Sequence, residues 1–206
     1  MRSSEAFVLY QRLGKGRTPV LGQETPKLIG TKPNERSAAL SHSQVSQRGW
    51  DLVSCGLQRF YGRSFDPSQV RTGSHGKPYF AQGTDLPHFN ISHSGSFVVA
   101  ILAQVPVGID IQVMRDLDYG SLGRRILSEA EYRDLLASDD PKETFFKYWV
   151  LKESYVKWTG EGISRSLRDL PMDGWSRFLD FDQHCVCAVR AGQALNLRIE
   201  EIDCDE

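Results

Sequence analysis

The chain has little of what would place it outside the ordinary folded proteins. Charge of one sign is not in excess: 25 Lys and Arg stand against 26 Asp and Glu, a formal net charge of −1. No overall basic field is therefore available to hold nucleic acid or an anionic membrane, and any anion site must be local. Long hydrophobic runs are missing. The longest, Phe97 to Ala103, falls far short of the roughly 20 residues that span a bilayer, and Met1 to Lys15 contains no apolar stretch like that of a secretory signal. The reading is a cytoplasmic protein. Cysteines are few and wrongly spaced for zinc: Cys55, Cys185, Cys187 and Cys204 form no C-x-x-C pair, and no His-x-x-x-His accompanies them. Buried free thiols are expected, with Cys185 and Cys187 alternating along a strand. No residue-level repeat or low-complexity tract occurs.

What is present is a chain of 206 residues, 40% hydrophobic and 25% charged, close to the soluble globular average and long enough for one domain or two small halves packed together. Ala6 to Tyr10 reads as a first strand, and the Gly/Pro/Lys-rich stretch that follows, to Asn34, reads as loops. From about Ser37 the pattern is helical: Trp50, Val53, Leu57 and Phe60 recur at steps of three and four before a stop at Gly62. Phe89 to Ser92 and Phe97 to Ala103, joined by His93-Ser94-Gly95-Ser96, predict a hairpin.

Pro106 and Gly108 mark a seam, after which the order of elements repeats. Val107, Ile109, Ile111 and Val113 alternate with Gly108, Asp110 and Gln112, as a half-buried strand requires. Ser128 and Glu131 are spaced as a capping box before a short helix to about Ala137, and Pro141 opens a longer helix that runs to about Trp158 and stops at Gly160. Arg177 to Ile202 alternates like two or three antiparallel strands. The expectation is an α+β fold of two similar halves, 1–106 and 107–206, each an antiparallel sheet against a long helix.

The long helix carries the first chemical signal. Phe146, Trp149, Glu153 and Val156 fall on one stripe, which places a carboxylate among aromatics. Buried alone it would cost several kcal/mol, so it must be protonated, paired or bound to a metal. Its simplest partner is Lys157, four residues on. Asp110 and Gln112 add two oxygens on one strand face, although an acid on the solvent face of an edge strand needs no role at all. Gly108 beside them allows close approach of a backbone or a ligand. Asp110, Gln112 and Glu153 together supply only oxygen, which suits Mg²⁺ and so phosphate chemistry. Two basic elements could meet that phosphate. In Gly76-Lys77-Pro78 a fixed turn presents an ammonium, unless it is simply a solvated turn lysine; in Asn90-Ile91-Ser92-His93-Ser94-Gly95 hydroxyls, an imidazole and turn amides can converge on an anion.

Four segments in this order resemble the Sfp-type 4′-phosphopantetheinyl transferases: Gly76-Lys77-Pro78, Phe89-Asn90-Ile91-Ser92-His93-Ser94, Val107-Gly108-Ile109-Asp110-Ile111 and Trp149 to Lys157. The resemblance covers residues 76–162. It implies a monomeric pseudo-dimer with pseudo-twofold symmetry, holding coenzyme A in the cleft between its halves, and a transfer of the 4′-phosphopantetheine arm to a serine hydroxyl of an apo acyl or peptidyl carrier protein, with release of adenosine 3′,5′-bisphosphate. It further implies Mg²⁺ on Asp110 and Glu153, nucleotide phosphates on Lys77 and His93 with Pro78 and Ser92 in the same pocket, and Lys157 at the pyrophosphate. Glu153 is the first choice for the base that takes the serine proton, and Glu131 the second. Upstream, Lys32, Arg36 and Ser46 are the candidates for further nucleotide contacts. Gln112 departs from the pattern, since many members have a third acid there. Arg124 and Arg125 are candidates to dock an acidic carrier helix. Two rivals stay open, a Mg²⁺-dependent coenzyme A phosphohydrolase and an inactive module that binds coenzyme A or a carrier.

Overall fold

The computed structural model describes residues 4–13, 42–83, 85–162 and 166–202. Its elements in chain order are β1 (Ser4–Arg12), α1 (His42–Gly56), β2 (Val70–Thr72), β3 (Pro78–Phe80), β4 (His88–Ser94), β5 (Phe97–Ala103), β6 (Val107–Val113), α2 (Tyr119–Ile126), α3 (Glu129–Ala137), α4 (Pro141–Thr159), β7 (Trp175–Leu179), β8 (Cys185–Ala191) and β9 (Leu195–Glu201). The helix ends follow local chemistry. α1 runs on through one π-helical turn, Leu57–Tyr61, to a left-handed Gly62. Ser128 and Glu131 close a reciprocal capping box on α3. α4 starts behind the Asp140 side chain with Pro141 in its first turn and ends at Gly160, whose φ of 74° only glycine adopts at little cost.

Two sheets pack face to face between helices. One has the order β4-β5-β1-β9, the other β6-β8-β7, and a short ribbon pairs β2 with β3. Val8, Val99, Ile101, Ile109, Ile111 and Val189 fill the space between the sheets. Leu9, Leu52, Leu57 and Leu102 pack α1 onto the outside of the first, and Phe145, Phe146, Val150 and Ala188 pack α4 onto the outside of the second. The apolar run Phe97 to Ala103 is β5, buried along its whole length because it is covered on both faces. Cys185 and Cys187 are buried free thiols on β8. Among the described residues no helix is long and apolar enough to cross a membrane.

Two expectations change. The tail is not wholly antiparallel: β9 leaves β7 and β8 and runs parallel to β1, Val8 opposite Ile199, in the first sheet. Alternation reports which side chains share a face and is silent about which strand lies alongside. The hairpin turn is also shorter than expected. His93 and Ser94 belong to β4, paired with Val98 and Phe97, and only Gly95 and Ser96 turn.

The edges of the two sheets meet where β4 lies beside β6. Asn90 Oδ1, Ser92 Oγ and Ser94 Oγ accept hydrogen bonds from the backbone N–H groups of Ile109, Ile111 and Val113 at 2.9, 3.3 and 2.9 Å. On the far side of β6, a Cβ at Gly108 would lie 2.1 Å from the Ser154 carbonyl oxygen and 2.4 Å from the Trp158 nitrogen, so α4 rests backbone to backbone on this strand. The close approach anticipated at Gly108 is to a helix, and it brings α4 side chains over Asp110.

Candidate active site

Asp110, Ser92 and Lys157 form one cluster contributed by β6, β4 and α4. Lys157 Nζ donates to Asp110 Oδ1 at 2.6 Å and to Ser92 Oγ at 2.8 Å, and the Ser92 hydroxyl donates to the same Asp110 oxygen at 2.8 Å. Lys157 therefore does not settle on Glu153, its i−4 neighbour. Laid on Gly108, α4 carries the ammonium over β6, where a buried carboxylate binds it more strongly than a surface helix pair would. Asp110 is only 5% exposed, not a solvent-face residue. Its second oxygen, Oδ2, is buried with no partner, an arrangement that native structures rarely tolerate without a ligand or water.

Glu153 stands one turn before Lys157, partly buried. Burial raises its carboxyl above the ordinary range, the Asp110 charge raises it further, and Lys157 opposes both. Gln112 is partly buried two residues along β6, on the same strand face as Asp110. Among the described residues no set of three His, Cys, Asp or Glu side chains converges. Asp110 and Glu153 are two crowded carboxylates, one with an unpartnered oxygen, and an amide lies on the same strand face. This all-oxygen donor set fits Mg²⁺, which takes one or two carboxylates and fills the rest of its shell with water and substrate phosphate.

Beside this cluster a cavity of about 240 Å³ is lined by Lys77, Lys157, His75 and Asn90, with Pro78 in its wall. A second cavity of about 550 Å³ lies against Lys77, Tyr79, Phe80, Leu86 and His88. Lys77 borders both. Its ammonium donates to the carbonyl oxygens of Val107 at 3.3 Å and Trp158 at 3.1 Å, tying β3 to the start of β6 and the end of α4, and burial pulls its pKa down to about 8. It is not a solvated turn lysine.

The other predicted residues lie apart from this cluster. His93 is exposed on β4, pointing opposite to Ser92 and Ser94 along the pleat. Ser46 is exposed on α1, and Lys32 and Arg36 lie outside the described residues. Glu131 Oε2 accepts from Ser128 N at 2.7 Å and from the buried Lys152 Nζ at 2.9 Å. Arg124 and Arg125 are exposed in the last turn of α2, and Arg124 donates to the Tyr132 hydroxyl at 3.0 Å. Sequence reasoning missed His75 and Asn90 as cavity residues. The signals were there: His75 directly precedes the Gly76-Lys77-Pro78 turn, and Asn90 opens the N-x-S-x-S alternation.

Residues 106–193 match the family model of the 4′-phosphopantetheinyl transferase superfamily. A 4′-phosphopantetheinyl transferase of Bacillus subtilis is 33% identical over 163 residues, covering 76% of this chain and 69% of that one. The 4′-phosphopantetheinyl transferase Sfp of Bacillus subtilis strain 168 is 36% identical over 157 residues, 72% of this chain and 65% of its own. The 4′-phosphopantetheinyl transferase psf-1 of Bacillus pumilus is 32% identical over 162 residues, 76% and 69% respectively.

Proposed function

This chain belongs to the 4′-phosphopantetheinyl transferases, and from that premise we propose how its own residues divide the work. The reaction moves phosphopantetheine from coenzyme A to a carrier protein. The acceptor serine oxygen bonds to the β-phosphorus, the bond from that phosphorus to the bridging oxygen breaks, and adenosine 3′,5′-bisphosphate leaves. Phosphoryl transfer of this kind is governed by positioning and charge neutralisation.

The observation that carries the assignment is the unpartnered Asp110 Oδ2, buried beside a carboxylate whose pKa is raised. Asp110 and Glu153, with Gln112 or water, would hold Mg²⁺, and when bound the ion supplies positive charge at the pyrophosphate. Lys157 uses two of its three hydrogens on Asp110 and Ser92, which leaves one for a phosphate oxygen in the cavity it lines. Lys77 and Pro78 border the same cavity, and His93 shares the β4 face of Ile91, which also lines it, so these are the residues we assign to the nucleotide phosphates. Glu153 takes the serine proton. With its pKa raised by burial and by Asp110, and held on a helix, it is the better base, whereas the Glu131 carboxylate is committed to Lys152 and a helix cap.

On this reading the chain is a monomer of two halves, 1–106 and 107–206, in which the second half lends β9 to the sheet of the first, and coenzyme A is held at the β4–β6 seam. The first half supplies nucleotide contacts and the second the carboxylates. An acidic carrier helix would meet the exposed Arg124 and Arg125. The test is the intact mass of apo carrier proteins incubated with coenzyme A, Mg²⁺ and this protein. Gain of one phosphopantetheine arm is expected. Bisphosphate release without any carrier would favour the phosphohydrolase, and no mass gain across a diverse panel would reject the transferase.

A further inference from the structure

β4 and β6 are joined by side chains where neighbouring strands are ordinarily joined by a backbone ladder. β6 is laddered to β8 along one edge. Along the other, the N–H groups of Ile109, Ile111 and Val113 have as acceptors the side chains of Asn90, Ser92 and Ser94, each exactly two residues from the next on both strands. The pleat puts these three acceptors on one face of β4 and sends Phe89 and Ile91 the other way, into the core under α1. Without them three strand-edge amides would sit unpaired between packed sheets, which native proteins avoid. The middle tooth, Ser92, also holds Asp110 and Lys157, so Asp110 is suspended between two fastened amides.

We infer that the outer teeth, Asn90 and Ser94, are positioning residues for Asp110 and Gln112: they hold β6 in register against β4 and so set where its carboxylate and amide stand relative to Lys157 and Glu153. The kinetic consequences rest on the transferase reading; the seam itself does not. Ser94 lines neither cavity and its hydroxyl is bonded to the Val113 amide, not to Asp110, Glu153 or Lys157, which makes it the clean probe. Removing its hydroxyl breaks no ladder bond, so both sheets can persist while β6 shifts. A misplacement on the order of 1 Å at a reacting group costs about 10²-fold, and a fraction of that shift costs correspondingly less.

The experiment compares the full chain with Ser94→Ala and Ser94→Thr, reading amide hydrogen exchange, Mn²⁺ affinity in the presence of coenzyme A, and steady-state kinetics. In Ser94→Ala the Val113 amide should exchange at least ~10-fold faster while β5 and β8 amides keep their protection. Mn²⁺ affinity should fall roughly 3- to 10-fold and kcat by about as much, with KM for coenzyme A within about twofold of the parent; Ser94→Thr should restore all three, because it returns the acceptor. Unchanged Val113 exchange overturns the inference, as does faster exchange with unaltered Mn²⁺ affinity and kcat, which would make the seam structural only. If Ser94→Ala fails to fold, Asn90→Ala repeats the test from the other end through Ile109 exchange and Mn²⁺ affinity alone, since Asn90 lines the smaller cavity and can alter KM directly. A parent protein without transferase activity would reject the proposed function and leave the exchange and Mn²⁺ measurements to judge the seam.

Discussion

Lys152 and Lys157 lie five residues apart on α4, and each meets a carboxylate from another element, but the two pairs end in opposite states. Lys152 is 1% exposed and donates to Glu131 at 2.9 Å and to the Leu167 carbonyl at 3.0 Å, while the same Glu131 oxygen also closes the cap of α3. Neither residue has a buried polar atom without a partner. Lys157 meets Asp110 at the mouth of a cavity, and there the carboxylate keeps one oxygen unpaired and a second carboxylate, Glu153, stands close enough to be raised by it. Completeness separates the two. A closed network fastens helices together, whereas an open one with crowded like charges keeps an acceptor oxygen for a further partner.

Isosteric amides at the two carboxylates should break this comparison in opposite directions. Asp110→Asn should lose roughly 10²–10³-fold in transferase rate, the scale for removing a preorganised electrostatic group, with little change in stability, because the Lys157 it leaves behind reaches solvent. Rate and melting temperature measured on one preparation check both halves of that statement. Next in size, Glu131→Gln should cost about 3–5 kcal/mol, since it strands a fully buried ammonium. Denaturant unfolding would read that cost. The rate per folded molecule should fall far less than for Asp110→Asn; an equal collapse of rate would move the base to Glu131.

Smaller effects sharpen the open side. Gln112→Glu adds a charged oxygen to the strand face of Asp110 and should lower the Mg²⁺ concentration needed for half-maximal rate; an unchanged or higher requirement would remove Gln112 from the metal. The smallest effect concerns Lys77. Burial holds its pKa at about 8 in the free protein; Lys157 is its cationic neighbour along the smaller cavity, whereas burial and Lys77 itself lower the pKa of His88, which is neutral where the lysine titrates. A phosphate brought near would raise that value. Between about pH 8 and 10 the free lysine is partly neutral and the bound one charged, so coenzyme A binding should take up protons, and Lys77→Met should abolish the uptake. Calorimetry in buffers of different ionisation enthalpy measures it. In the same pH interval the free protein should gain stability as pH rises, because the unfolded lysine still binds a proton that the folded one has released.

Much of this arrangement is legible in the sequence, for local reasons. The capping box at Ser128, the start of α4 at Pro141 and its stop at Gly160 depend on residues within one turn of each other. The alternation along β6 tells which of its residues face the core, and the stripe on α4 predicts that Glu153 is drawn partly inside. Partners were not legible. Lys157 had a plausible acid four residues away and bonds instead to one 47 positions earlier. Lys77 read as a turn residue and reaches two carbonyls across the molecule. Asn90, Ser92 and Ser94 read as part of a segment that could converge on an anion, and their side chains instead accept hydrogen bonds from the β6 amides.

The sequence by itself determined the periods, the caps and the chemical types: which residues must be helical, which strand faces are apolar, and that two acids, an amide and two lysines were available for a phosphate and a metal. Those properties follow from steric and hydrogen-bonding rules that act over a few residues. Tertiary structure alone decided which acid each lysine meets, which sheet receives β9, and which carboxylate oxygen is left without a partner. Each of these depends on which elements are brought together from distant parts of the chain; for Lys157 the approach is set at Gly108, where a missing side chain lets α4 settle on β6 and carries the ammonium past Glu153 to Asp110.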